Sequence, residues 1–120
     1  KPDDGYITYI INPKAGATSS KRIGRRFEQY LVKTGYKVKT CLTRSLDHAC
    51  ELATNAAVDY DCAMVVGVGG DGTIREVAHG LEGSDKPLLI IPHGTENLLA
   101  NELGFDETLK TIIRTFEAEY

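Results

Sequence analysis

The sequence predicts an α/β fold: a three-layer, open, mostly parallel sheet of strand order 2-1-3-4, flanked by helices. Three observations lead there. Four apolar, β-branched runs, Tyr6–Ile11, Tyr36–Leu42, Cys62–Val68 and Leu88–Ile91, recur along the chain, and their starts are about 25 to 30 residues apart, as in successive β-α units. Amphipathic helical patterns separate them. The third and fourth runs are apolar at every position, as strands covered on both faces by helices are.

The elements follow in order. After the first strand, Ile23, Phe27, Tyr30 and Leu31 fall at i, i+4, i+7 and i+8, one face of a helix. In the second strand Lys37 and Lys39 alternate with Val38 and Thr40, which suits an edge that must resist pairing with another chain. Ser45 is placed to cap a second helix, whose stripe is Leu46, Ala49, Cys50, Ala53 and Ala57. Ile74, Val77, Ala78 and Leu81 make a third stripe, stopped by Gly83. A fourth helix is expected from about Thr95 to Leu103 and a fifth from Glu107 to Glu117. With the second strand at an edge, the chain leaves the first strand toward one side and returns to add the third on the other. The loops after strands one and three then diverge to opposite faces and open a crevice, the place where open α/β sheets bind ligands.

Length and composition narrow the function classes. A chain of 120 residues and 13.1 kDa makes one domain. With 42% hydrophobic and 26% charged residues it is not a disordered chain. The net charge of -3 argues against a general nucleic-acid binder. The charge is uneven, +7 over residues 1–45 and -10 over residues 46–120. The three cysteines, Cys41, Cys50 and Cys62, contain no CxxC pair and read as reduced core residues of a cytoplasmic protein rather than metal or redox groups. The longest apolar stretch, Ala63 to Val68, is far short of the roughly 18 residues of a membrane span. Residue 1 is Lys and the one Met is Met64, which predicts a piece of a longer polypeptide.

Chemistry concentrates in three loops. Gly69-Gly70-Asp71-Gly72-Thr73 closes the third strand and opens the third helix. Glycines let a phosphate approach backbone N–H groups, and the helix N-terminus behind them adds partial positive charge. Thr73 and Glu76 have capping-box spacing. Asp71 is the informative residue: beside a phosphate a carboxylate needs a magnesium ion to offset it, or accepts a proton from an attacking hydroxyl. Both point to phosphoryl transfer. Gly67, Gly69 and Gly72 also match GxGxxG, but that dinucleotide fingerprint belongs after a first strand with a ribose-binding acid about 20 residues on, and neither condition holds here. No GxxxxGK[ST] is present. The second loop, Asn12-Pro13-Lys14-Ala15-Gly16, follows the first strand, with Lys14 placed to meet a phosphate. The third, Pro92-His93-Gly94-Thr95-Glu96-Asn97, follows the fourth strand; His93 reads as a loop residue rather than a base.

Together and in this order, the three loops resemble the N-terminal lobe of the diacylglycerol kinase catalytic domain, a family that includes sphingosine kinases and bacterial lipid kinases and shares its fold with NAD kinases. The likeness runs from about Tyr6 to the end of the chain. The family's Asn-Pro-x-x-Gly appears as Asn12 to Gly16, its Gly-Gly-Asp-Gly-Thr-x-x-Glu-Val as Gly69 to Val77, and its Pro-x-Gly-Thr-Gly-Asn as Pro92 to Asn97. His79-Gly80-Leu81 stands where Asn-Gly-Leu is usual. The resemblance implies an ATP-dependent lipid kinase that transfers the γ-phosphoryl to a diacylglycerol-like or sphingoid hydroxyl. It implies nucleotide contacts at Asn12, Pro13, Lys14, Ala15, Gly16, Thr43, Gly69, Gly70, Asp71, Gly72, Thr73, Gly94, Thr95 and Asn97. It also implies a magnesium, proton-network or catalytic-base role for Asp71, with ATP and Mg2+ as cofactors.

The sequence departs from the family at Glu96, where glycine is usual, and at Leu98, where aspartate is common. The family has a second, β-rich lobe with the lipid site and a further catalytic aspartate. Residues 1–120 correspond to the nucleotide-binding lobe alone, so the resemblance implies little or no turnover by this chain by itself. An apolar lobe face left without its partner would also suit a homodimer. Lys21, Arg22, Arg25 and Arg26, spaced along the first helix, join Lys14 and Lys33 in a basic patch expected to draw a peripheral protein toward anionic membrane. Two other readings use the same residues: an NAD kinase-like lobe serving a soluble substrate, and a non-catalytic nucleotide-binding module.

Overall fold

In this computed structural model, residues 5–13, 18–92 and 102–119 are described. Their elements, in chain order, are β1 (Tyr6–Ile11), α1 (Thr18–Lys33), β2 (Lys37–Leu42), α2 (Leu46–Val58), β3 (Cys62–Gly69), α3 (Asp71–Gly80), β4 (Leu88–Pro92) and α4 (Glu102–Glu119). The strands form one parallel sheet in the order β2-β1-β3-β4, as the sequence predicts. β1 runs in register with β2 from Tyr6↔Lys37 to Ile11↔Leu42. Against β3 its register steps from Tyr6↔Cys62 to Ile7↔Met64. The extra residue, Ala63, is a bulge that keeps Cys62 on the same face as Val65.

Side-chain alternation along the strands divides the core in two. Ile7, Tyr9, Met64, Val66, Val68 and Ile91 face Ile23, Phe27 and Leu31 of α1 and Ile112 and Phe116 of α4. On the other face Ile10, Cys62 and Val65 pack against Ala49, Ala53 and Ala56 of α2 and Val77 of α3. These are the three expected layers. Coverage is less even than predicted. β3 is buried at most positions, whereas β4 is the second edge, with Leu88 and Leu89 half-buried and Ile90 39% exposed. An apolar run marks a strand, but it does not distinguish a central strand from an edge. β2 is the open edge that its lysines suggest.

The helix ends have identifiable causes. α1 closes in a Schellman motif: the Tyr36 N–H donates to the Leu31 carbonyl at 2.9 Å and the Gly35 N–H to Val32 at 3.0 Å, with Gly35 at φ 100°. Ser45 caps α2 as expected, accepting from the His48 N–H at 3.1 Å. α4 begins at Glu102 rather than Glu107; the expected helix over 95–103 lies outside the described residues except for its last two positions, which belong to α4. α4 is held to α1 through Phe116, edge-on to Phe27 at 5.7 Å and to Tyr36 at 5.3 Å. Burying one such ring contributes about 1.5–3 kcal/mol. The α2–α3 contact is tighter still. A Cβ at Gly80 would stand 2.5 Å from the Cys50 carbonyl oxygen and 2.7 Å from the Ala53 Cβ, so only glycine permits this approach.

Candidate functional site at the C-terminal ends of the strands

β1 and β3 are neighbours whose following helices, α1 and α3, lie on opposite faces of the sheet. The crevice is therefore where the order 2-1-3-4 puts it, at the C-terminal ends of these two strands. Asn12 ties its two sides together. Its backbone N–H donates to the Val68 carbonyl at 3.2 Å, and its Nδ2 donates to the Thr73 hydroxyl at 3.1 Å. The next strand end is drawn in by the Thr43 N–H, which donates to the Ile11 carbonyl at 2.9 Å. On the far side, the β3–β4 register pairs Gly69 with Pro92, so the end of β4 lies directly beside the glycine turn.

Thr73 does not cap α3, contrary to the capping-box reading. The N-cap is Gly70, in extended backbone, a residue with no side chain to cap with. Thr73 sits three residues inside the helix, 3% exposed, and its hydroxyl accepts from Asn12. The spacing of Thr73 and Glu76 matched a cap; the glycine turn simply ends earlier than that pattern supposes. The consequence is chemical. The first-turn N–H groups of α3 have no intrahelical acceptor and none from the Gly70 cap, and they carry the partial positive end of the helix dipole.

Two helix starts converge here. α2 begins at Leu46, just after Thr43, and a Cβ at Gly72 would lie 3.4 Å from Leu46 Cδ2. Gly69 shows why the turn is glycine-rich. A Cβ there would stand 2.8 Å from the Thr73 Cβ, too close for any side chain to share the space. Asp71 is exposed in the first turn of α3, where its carboxylate is free to meet a metal ion or a proton.

Of the residues singled out in the sequence, Asn12, Pro13, Thr43, Gly69, Gly70, Asp71, Gly72 and Thr73 come together at this end of the sheet. Thr43 is only 6% exposed. Lys14, Ala15, Gly16, His93, Gly94, Thr95, Glu96, Asn97 and Leu98 lie outside the described residues. The basic stripe of α1 divides. Arg25 lines a hollow of about 310 Å³ with Ile11, Pro13, Thr40 and Leu42, beside the crevice. Arg26 and Lys33 line another with Leu109 and Ile113 of α4. Consecutive helical residues are turned about 100° apart, so Arg25 and Arg26 look to different neighbours. A larger hollow, about 510 Å³, lies at the opposite end of the sheet, between Val58, Ala63 and the Glu82–Pro87 turn; it has no part in this site.

A sequence model of the diacylglycerol kinase catalytic domain matches residues 6–119. The chain belongs to that family. Among its relatives, sphingosine kinase B of Dictyostelium discoideum is 33% identical over 119 residues, covering 93% of this chain and 16% of the relative. The diacylglycerol kinase of Bacillus subtilis is 37% identical over 98 residues, covering 79% of this chain and 32% of the relative. A diacylglycerol kinase crystal structure from Bacillus anthracis superposes with a TM-score of 0.65 at 24% identity, over 82% of this chain and 36% of that one, which bears on the fold alone. This member of the diacylglycerol kinase family thus spans about a third or less of the length of these relatives. No described helix is long and apolar enough to cross a membrane.

Proposed function

We propose that this chain is the nucleotide-binding lobe of an ATP-dependent lipid kinase, phosphorylating a diacylglycerol-like or sphingoid hydroxyl. The observation that carries the reading is the glycine-capped start of α3 at the crevice, with Asn12 bound to Thr73 beside it. The family relationship supports it, since named relatives are sphingosine and diacylglycerol kinases.

The donor set suits a magnesium nucleotide. The N–H groups of the Gly69–Thr73 turn would hold phosphate oxygens, and the exposed Asp71 carboxylate would hold magnesium. When bound, magnesium neutralises phosphate charge and ATP supplies the phosphoryl group. Asp71 carries the ion or accepts the proton of the attacking hydroxyl. Asn12 fixes Thr73, and with it the first turn of α3, so the donors are oriented before a ligand arrives. Lys14, Ala15, Gly16, Gly94, Thr95 and Asn97, which match the family's nucleotide-binding motifs in sequence, complete the proposed contact set. Arg22, Arg25, Arg26 and Lys33 would favour approach to an anionic membrane; vesicle binding that ignores anionic lipid content would remove that part.

Calorimetric titration of the chain with ATP tests the central claim. Binding is expected with Mg2+ present, weakened in Asp71→Asn, which leaves the backbone donors in place. Equal affinity with and without Mg2+, unchanged in Asp71→Asn, would refute the assigned role. The lipid site is expected to come from a second, β-rich lobe, so this chain alone should phosphorylate diacylglycerol or sphingosine little or not at all. Robust, Asp71-dependent turnover by the chain itself would overturn that division of labour.

A further inference from the structure

On the outer surface of the α2–α3 layer, three side chains of different chemistry meet. The ligand atoms of Cys50 from α2 and of Glu76 and His79 from α3 all lie within 4.8 Å of one another. Two features of the fold bring them together. Glu76 and His79 are spaced i,i+3, so they share one face of α3. Gly80, next in the chain, lets the backbones of α2 and α3 touch at Cys50 itself. The set is accessible: Cys50 and Glu76 are half-buried and His79 is exposed. Behind the imidazole, the Glu82 carboxylate lies 3.9 Å from His79 Nε2.

The geometry points to a zinc site here, formed by the Cys50 thiolate, the Glu76 carboxylate and a ring nitrogen of His79, with solvent as the fourth ligand. In a tetrahedral zinc site with these donors, ligand atoms are roughly 3.3–3.8 Å apart; here the three are all within 4.8 Å of one another. Thiolate and imidazole select zinc over magnesium, which takes oxygen ligands in octahedral geometry. The site is therefore separate from any magnesium carried with a nucleotide. Its α3 ligands lie about 7.5 Å (Glu76) and about 12 Å (His79) along the helix from Asp71, at 1.5 Å per residue, and a metal there clamps α2 to the helix that opens the glycine turn. The cysteine's role departs from the expectation of a plain core thiol.

The test is titration of the whole chain with zinc chloride against a chromophoric zinc indicator, with cobalt substitution as a second readout. One zinc per chain is expected, with affinity reduced about tenfold or more in Cys50→Ser and in His79→Gln and unchanged in Cys41→Ser. The cobalt form is expected to show a thiolate-to-metal charge-transfer band that excess Mg2+ leaves in place. His79 is on the surface, so its variant keeps the fold and the comparison stands even if Cys50→Ser is destabilised. No zinc binding by the wild type, wild-type affinity in His79→Gln, or a cobalt adduct without the thiolate band would each overturn the site.

Discussion

Replacing Gly69 with alanine tests whether the glycine turn is set by contact with Thr73. The added Cβ would lie 2.8 Å from the Thr73 Cβ, 3.0 Å from its Cγ2 and 3.2 Å from its Oγ1, against an optimum of about 3.5–4.0 Å between carbons. Thr73 has little freedom to yield. It is 3% exposed, and its hydroxyl is held by Asn12 at 3.1 Å. Relief requires the first turn of α3 to back away from β3 or Thr73 to leave its hydrogen bond. Overpacking of this kind costs about 1–3 kcal/mol, and the lost hydrogen bond about 0.5–1.5 kcal/mol. Reduced freedom of the unfolded chain returns about 0.4–1 kcal/mol. The expected net loss is about 1–3 kcal/mol, read as a lower urea midpoint at unchanged slope, together with weaker ATP binding. Gly67→Ala is the control. Its Cβ would come no closer than 3.4 Å to the Ile74 Cδ1, a flexible side-chain tip, and 3.8 Å to Leu88 Cδ1 and Val77 Cγ1, and the expected loss is below about 1 kcal/mol. Wild-type stability in Gly69→Ala, or equal losses at both positions, would refute the contact argument.

Two further outcomes follow from the same kind of reasoning. Alanine at an exposed helix glycine ordinarily stabilises by about 1 kcal/mol, but Gly80→Ala should lose about 1–2 kcal/mol by urea unfolding, because its Cβ would press on backbone atoms of α2 at 2.5 and 3.0 Å; a gain in stability would show that α2 and α3 separate freely. Tyr6 donates its hydroxyl hydrogen bond to the Asp59 carboxylate, which holds Asp59 below the usual carboxylate range, while burial, and then Asp59, push Tyr6 from 10.0 up to about 12. The lowered acid contributes stability that is present above its unfolded pKa and lost as pH falls through the folded one. The raised phenol contributes below pH 10.0 and loses it as pH rises toward about 12. Urea midpoints of Tyr6→Phe and wild type should therefore differ most between these limits and converge at both ends; a difference constant with pH would sink the assignment.

Much of this was legible in the sequence, for physical reasons. β1 and β3 announce themselves because buried strands must be apolar, and Lys37 and Lys39 mark β2 as an edge because its outer side faces water. Those two facts fix the strand order, and the order fixes the crevice. What stayed hidden depends on contacts between elements. Thr73 and Glu76 have the spacing of a cap, but whether a threonine caps a helix or accepts from Asn12, 61 residues earlier, depends on the strand beside it. β4 reads as apolar throughout and its place in the predicted order is an edge, yet its composition carries no record that Ile90 stands 39% exposed. The i,i+1 and i,i+4 spacing of Arg22, Arg25 and Arg26 suggested one basic face, while the packing of α4 against α1 divided it. Gly80 looks like an ordinary helix glycine until Cys50 is seen beneath it.

The glycine N-cap of α3 and the bond between Asn12 and Thr73 are linked. Had the Thr73 side chain capped the helix, its oxygen would have occupied one of the N–H groups that face the crevice, and α3 would have started later, farther from the sheet. A side-chain cap is worth about 1 kcal/mol over alanine and only a few tenths over glycine, so Gly70 gives up little stability to leave those donors open. The order that a side-chain cap would have provided comes instead from outside the helix, through Asn12 at the end of β1, a strand paired on both sides. A donor array positioned by the sheet keeps its geometry without using its own hydrogen bonds, and that combination favours an anion arriving from solution over a helix end that merely satisfies itself.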